Sequence, residues 1–375
     1  MRKLSVALWC IAAAALLAQE SSPYRVTNRF ALGGDGSWDY IVPDPPNHRV
    51  FIGRQNRVMV VDEDRGALLG EVPGIQGAHG TAIAAASGHG FATSGNDQSV
   101  VMFDLKSCKV LGRIPAAERR GRDHLRRTVE SGLHVQRRRP FVDGDRPGRR
   151  HPDRERSARR KARYGASAGD GKIYANLTDT SEVVEIEGKT ATVTRRWSTA
   201  PCKQPVAMAI DVGHHRLFSG CRSGVLAVSD YPAGKVVATL PIGGGVDGAG
   251  YDAATGDVFA SNADGTLTVM HQVDPDQHRV IGAVQTPPGS RNMGLDPISH
   301  RIFVAAAHFG PPPGGRGRGP VLPDSFTVMV IERAPDARQR VISRMPCDKS
   351  HEADENPNGH HFVDRRFVVP SQNRV

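Results

Sequence analysis

Asp39, His79, Asp247 and Arg291 share one spacing: each stands twelve residues before an aromatic, at Phe51, Phe91, Phe259 and Phe303. Val206 holds the same position before Phe218, with Gln204 two residues earlier. Two carboxylates and an imidazole gathered around one point are the donor types a divalent cation accepts, and an arginine beside them would suit an anionic small molecule. The plainer alternative is that polar residues collect where strands end and serve only the backbone there. Unequal residues at equivalent positions favour a site, because a repeated residue usually serves the fold. His308 opens a Pro/Gly-rich stretch, 308–325, that carries Arg316 and Arg318. The spacing of His351, Glu352, Asp354, His360, His361 and Asp364 fixes no metal geometry. A nucleophile elbow, a phosphate loop, HExxH and a haem attachment motif are all missing, and Gly243-Gly244-Gly245 joins two strands instead of opening a helix.

The aromatics belong to a repeat. His48-Arg49-Val50-Phe51, Gly88-His89-Gly90-Phe91, Gly171-Lys172-Ile173-Tyr174, His215-Arg216-Leu217-Phe218, Gly256-Asp257-Val258-Phe259 and His300-Arg301-Ile302-Phe303 are spaced by 40, 83, 44, 41 and 44 residues. The step of 83 is two periods, so seven units fit and one lacks its marker. Seven residues before the aromatic, Asp44, Asp211, Asp252 and Asp296 can each close an Asx turn between two strands. Further apolar strands follow in each unit. Four short antiparallel strands per period describe a propeller blade, so the expected fold is an all-β, seven-bladed β-propeller over 25–332. Two segments compete for the outermost strand of the last blade, 25–32 and 339–345. The first is favoured, since joining the chain ends removes both exposed sheet edges. The residues after Glu332, 333–375, are then expected to form a disordered tail.

The net charge of +10 is local. Residues 119–163 hold 17 basic and 6 acidic residues, 16 of the basic ones arginine, which leaves 32 basic against 33 acidic elsewhere. A near-neutral remainder argues against nucleic acid as the partner. This Arg-rich segment stands where the third blade belongs and lacks an alternating apolar pattern, so that blade is expected to be disrupted or disordered. It can be a basic insertion, a nucleic-acid-binding arm, or the blade's own coding region translated in the wrong frame. The preserved cadence of 83 favours replacement over insertion.

Arg2 and Lys3 precede an apolar run, Leu4 to Ala18, and polar residues follow, which is the layout of a signal peptide over 1–20. The run is shorter than the roughly 20 residues that span a bilayer, so no stable membrane span is expected after cleavage. Export, to the periplasm or beyond, permits disulfides. Cys202 in the loop entering the fifth blade and Cys221 at the end of that blade's second strand fall on one face, and a bridge between them is expected; Cys108 reads as a lone thiol.

The chain resembles the YncE-like proteins with YVTN repeats, a family of secreted seven-bladed propellers. The resemblance rests on Ile173-Tyr174-Ala175-Asn176, Val258-Phe259-Ala260-Ser261-Asn262 and Arg301-Ile302-Phe303-Val304, and on Gly33-Gly34-Asp35-Gly36-Ser37-Trp38-Asp39, Ala78-His79-Gly80, Pro201-Cys202 and Val246-Asp247. It runs from about Phe30 to Ile331, broken over 119–163, and implies a fold far more firmly than an activity. The leading functional expectation is a monomeric, secreted, non-catalytic scaffold that binds a protein or small molecule through Asp39, His79, Gln204, Asp247, Arg291 and His308. The alternative is a propeller enzyme of the lactonase or quinoprotein type, with a channel metal or cofactor whose identity the residues do not specify.

Overall fold

The computed structural model describes residues 22–115, 162–190, 192–312, 314 and 318–335. The expected signal peptide, the bulk of the Arg-rich segment and nearly all of the expected tail lie outside these residues. The described strands form six four-stranded antiparallel sheets, not the seven expected. Keeping the numbering of the repeat, blade one is β2 (Trp38–Asp44), β3 (Arg49–Arg54), β4 (Arg57–Asp62) and β5 (Leu68–Val72). Blade two is β6 (Ala78–Ala84), β7 (His89–Ser94), β8 (Ser99–Asp104) and β9 (Val110–Pro115). Blade four runs from β10 (Ala162–Ser167) through β11 (Lys172–Leu177) and β12 (Glu182–Glu187) to β13 (Thr192–Ser198). Blade five comprises β14 (Pro205–Asp211), β15 (Arg216–Cys221), β16 (Val225–Asp230) and β17 (Lys235–Pro241). Blade six comprises β18 (Val246–Asp252), β19 (Asp257–Asn262), β20 (Thr266–Gln272) and β21 (His278–Gln285).

The count falls to six because the residues in the third blade's place, 116–161, are outside the described set; they are the stretch whose arginines interrupt the alternation a strand needs. Pairing resumes at Ala162, opposite Leu177, one residue before the end of the Arg-rich segment. Inner strands pack side by side in the order β6, β2, the inner strand of the closing blade, β18, β14, β10, so β6 and β10 end the series among the described residues.

The closing blade draws on both ends of the propeller. Its inner strands are β22 (Met293–Leu295), β23 (Ile302–Ala306) and β24 (Thr327–Arg333), and its outermost strand is β1 (Tyr24–Ala31), paired with β24 from Tyr24↔Arg333 to Ala31↔Thr327. The favoured N-terminal segment thus takes the edge. Tyr24 anchors it on blade six: its ring meets Phe259 edge-on at 5.0 Å, and its hydroxyl donates to Asp257 Oδ2 at 2.8 Å.

The repeated residues serve the fold. Phe51, Tyr174, Phe218, Phe259 and Phe303 are at most 1% exposed and fill the wedges between blades, as where Phe218 stacks on Tyr251 of blade six at 5.3 Å. At the far end of four of the inner strands a buried aspartate closes the turn. Backbone N–H groups of His214, Ala254 and Ile298 donate to Oδ1 of Asp211, Asp252 and Asp296 at 3.1, 3.0 and 2.7 Å. Asp44 works differently, accepting from Asn47 Nδ2 and Arg49 Nε across a 3-10 turn, Pro45–Asn47.

Candidate functional site

The expected site residues sit where the inner strands begin, at the end opposite the aspartate turns. There the ladder slips: register shifts fall between Trp38 and Ile41, between Ala78 and Thr81, and between Val246 and Gly248. Asp39, His79 and Asp247 occupy these bulges, which release a side chain from the pleat and re-aim it. Arg291 lies two residues before β22.

Four of the six expected residues join into an arc over four consecutive blades. His79 Nδ1 is 2.6 Å from Asp39 Oδ2, linking blades two and one. Asn292, 2% exposed, carries the chain into the closing blade by donating from Nδ2 to Asp39 Oδ1 at 3.1 Å. Beside it, Arg291 Nε lies 3.2 Å from Asp247 Oδ2 of blade six. The far nitrogen of His79 rests against the chain at Gly95, where a Cβ would come within 2.8 Å of Nε2. A glycine there leaves room for the imidazole.

The described ends of the Pro/Gly-rich 308–325 stretch dock beside the arc. Phe309 bridges Val321, Gly310 N–H donates to Pro320 O at 2.8 Å, and Leu322 N–H donates to His308 O at 2.9 Å. Phe309 then packs on Trp38 at 5.8 Å. The Arg318 guanidinium lies 3.8 Å from the centre of the Phe309 ring and 5.1 Å from that of Trp38. Loss of water, and then the nearby Arg291 charge, lower its pKa to about 10, so it remains a cation at neutral pH. Buried Arg54 braces the same corner. It donates to the carbonyls of Gly33, Gly34, Asp35 and Gly36, and its guanidinium lies 3.9 Å from the centre of the Phe326 ring.

Gln204 and His308 are not drawn into the arc. The His308 main chain pins the base of the loop while the residue itself is exposed. Gln204 lines an open depression of about 450 Å³ with Asp179, Lys203 and Arg222 between blades four and five. That region is braced by the expected Cys202–Cys221 disulfide, whose Cα atoms are 5.6 Å apart. Val206, the equivalent position in blade five, is fully buried and structural. Among the described residues Cys108 is the free thiol, half-buried, and burial raises its pKa.

A channel metal fits this arrangement poorly. Both Asp39 oxygens are engaged, Asp247 faces Arg291, and the one cluster of three potential ligands among the described residues lies elsewhere. Sequence reasoning missed Trp38 and Asn292, and noted Arg318 only as part of the 308–325 stretch. Asn292 adjoins Arg291 and could have been found by the same spacing, whereas Arg318 carries no periodic signal.

Among the described residues no helix is long and apolar enough to cross a membrane. No family model matches the chain, and no curated protein does. A chain in the solved structure titled "Crystal Structure of Mitotic Checkpoint Complex" superposes with a TM-score of 0.56 at 12% identity, over 82% of this chain and 96% of that one. At such identity the likeness concerns architecture alone: this chain is an all-β propeller of four-stranded blades.

Proposed function

We propose that the chain is a secreted, non-catalytic propeller scaffold that binds an anionic small molecule at the mouth arc. One observation carries the reading: Arg318 is held over Trp38 and Phe309 without a hydrogen bond or ion pair among the described residues, while the nearby carboxylates already have partners. A guanidinium stacked on aromatics keeps its edge free for a carboxylate or phosphate. Arg291 supplies a second cation beside it, and the unequal arc residues give the face a polarity that a purely structural repeat would lack. The engaged state of Asp39 removes the donor set that a metal-dependent lactonase would need there.

The finer identity belongs to the same proposal. Seven blades are supported by the 83-residue cadence and by the two ends that β6 and β10 leave in the packed series. Membership of the YncE-like YVTN-repeat family is supported by the 33–39 loop, which Arg54 holds at the site, and by the recurring strand motif. Secretion is supported by the N-terminal layout together with the disulfide.

Calorimetric titration of the full chain with citrate, succinate and inorganic phosphate tests the binding. At least one should bind, with affinity lost in Arg318→Ala and retained in Arg222→Ala at the separate depression. Binding that survives Arg318→Ala, or no binding by any of the three, overturns the reading.

A further inference from the structure

At the opposite end of blade one, His48, Glu63 and Asp64 bring potential ligand atoms within 4.8 Å of one another. His48 Nδ1 lies 3.2 Å from Glu63 Oε1 and 3.6 Å from Asp64 Oδ2. Zinc in a tetrahedral site has bonds near 2.0–2.1 Å to nitrogen and oxygen, which places neighbouring donors about 3.3 Å apart. The two observed separations bracket that value.

The loops that carry these groups are already set. Glu63 N–H donates to His48 O at 3.1 Å, tying the two turns together. His48 itself sits in the left-handed region at φ 48°, with its N–H on Pro45 O at 3.2 Å. Asp62 Oδ1 accepts from the N–H groups of Asp64 and Arg65 at 2.9 and 2.8 Å, which closes the second turn.

An acidic cluster alone would not indicate a ligand. Here the Glu63 side chain is only 2% exposed, and its second oxygen, Oε2, is buried without a hydrogen-bond partner. Burial, then the neighbouring Asp296, push its carboxyl pKa up. Among the described residues Arg301 is the guanidinium ion-paired to this group, in contact with Asp64, near Glu63 and 3.0 Å from Glu332. Four carboxylates, counting Asp296, therefore gather around Arg301, with Arg65 beside Asp64 as a further cation.

We propose that His48 Nδ1, Glu63 and Asp64 form a binding site for a zinc-type divalent cation, with water completing the shell. A nitrogen-plus-carboxylate set suits zinc and its neighbours rather than magnesium or calcium, which take oxygen donors. On binding, His48 as the neutral imidazole gives its Nδ1 lone pair to the metal and carries its ring proton on Nε2. This site is separate from the mouth arc and does not depend on the reading of that face.

The test is calorimetry and thermal melting of the full chain with zinc chloride, and with calcium chloride as the contrast. One saturable zinc site should appear, with a higher Tm under zinc than under calcium. His48→Asn should weaken zinc by more than roughly tenfold, given that even outer-shell partners of a metal cost roughly 10–100-fold. Asparagine tolerates the left-handed backbone, so the turn should survive. Glu63→Gln, which keeps the side chain's shape, should weaken it similarly. The histidines near the C-terminus are controlled by His360→Ala with His361→Ala, which should leave this binding unchanged. No saturable binding, binding indifferent to His48→Asn and Glu63→Gln, or binding lost only in the His360/His361 variant overturns the proposal.

Discussion

The two ends of the inner strands are built on opposite rules. At the turn end, Asp44, Asp211, Asp252 and Asp296 repeat one residue type, each no more than 3% exposed and each bonded within its own turn. At the mouth end, Asp39, His79, Val206, Asp247 and Arg291 occupy one position of the repeat with four residue types among them, and the polar ones bond to residues of neighbouring blades. Repetition marks a backbone requirement that recurs from blade to blade. Variation marks a surface assembled once, between blades.

Blade five is the exception at the mouth end and allows the largest test of this contrast. Its position is filled by buried Val206, and its loops are joined covalently as well as by hydrogen bonds. Cys202→Ala with Cys221→Ala should lower the unfolding free energy by about 3 kcal/mol, the chain-entropy value for a loop of this length. Urea titration measures it. A change in anion binding at the arc should not accompany it, and if one does, the two halves of the mouth are not independent.

A direct comparison of the two ends comes next. Asp296→Ala removes a buried acceptor from the N–H groups of Ile298 and Ser299 and should cost about 2 kcal/mol in urea without altering ligand affinity. Asp39→Asn should do the reverse: a loss of about 1 kcal/mol or less, as for a part-exposed ion pair, with a measurable change in binding at the mouth. Equal costs at both ends would erase the distinction.

The smallest effect is in pH and belongs to the turn end. Both ring nitrogens of His278 are buried without hydrogen-bond partners, and the ring meets Phe218 edge-on at 5.6 Å. Burial, then the Arg216 charge, lower its pKa below the ordinary histidine value. The unfolded chain therefore takes up this proton more readily than the folded one. Stability should decline as pH falls from about 6.5 towards the folded pKa, and His278→Phe should flatten that slope in urea midpoints measured between pH 7.5 and 5.

Much of this was legible in the order of residues. The period, the marker aromatics and the turn aspartates recur, and each is tied to a local demand: a strand must alternate, a wedge between blades must be filled, a turn must satisfy its N–H groups. Cys202 and Cys221 could be paired because the repeat places both at one end of the same blade. The spacing also located Asp39, His79, Asp247 and Arg291 at one mouth. It could not distinguish them from Gln204 and His308, which share the face without joining the arc.

Sequence alone therefore determined the blade, its turn chemistry, the closing role of the first strand and the abnormal character of 119–163, since all of these follow from residues near one another along the chain or from a period. Tertiary structure alone decided that Asn292 reaches Asp39, that Arg54 gathers four carbonyls of the 33–36 loop, and that Arg318 lies over Trp38. Those contacts join residues as much as 280 positions apart, as for Trp38 and Arg318, and they arise only when the ring sets blade one beside the closing blade. Their partners obey no period, because a contact across that seam is made once.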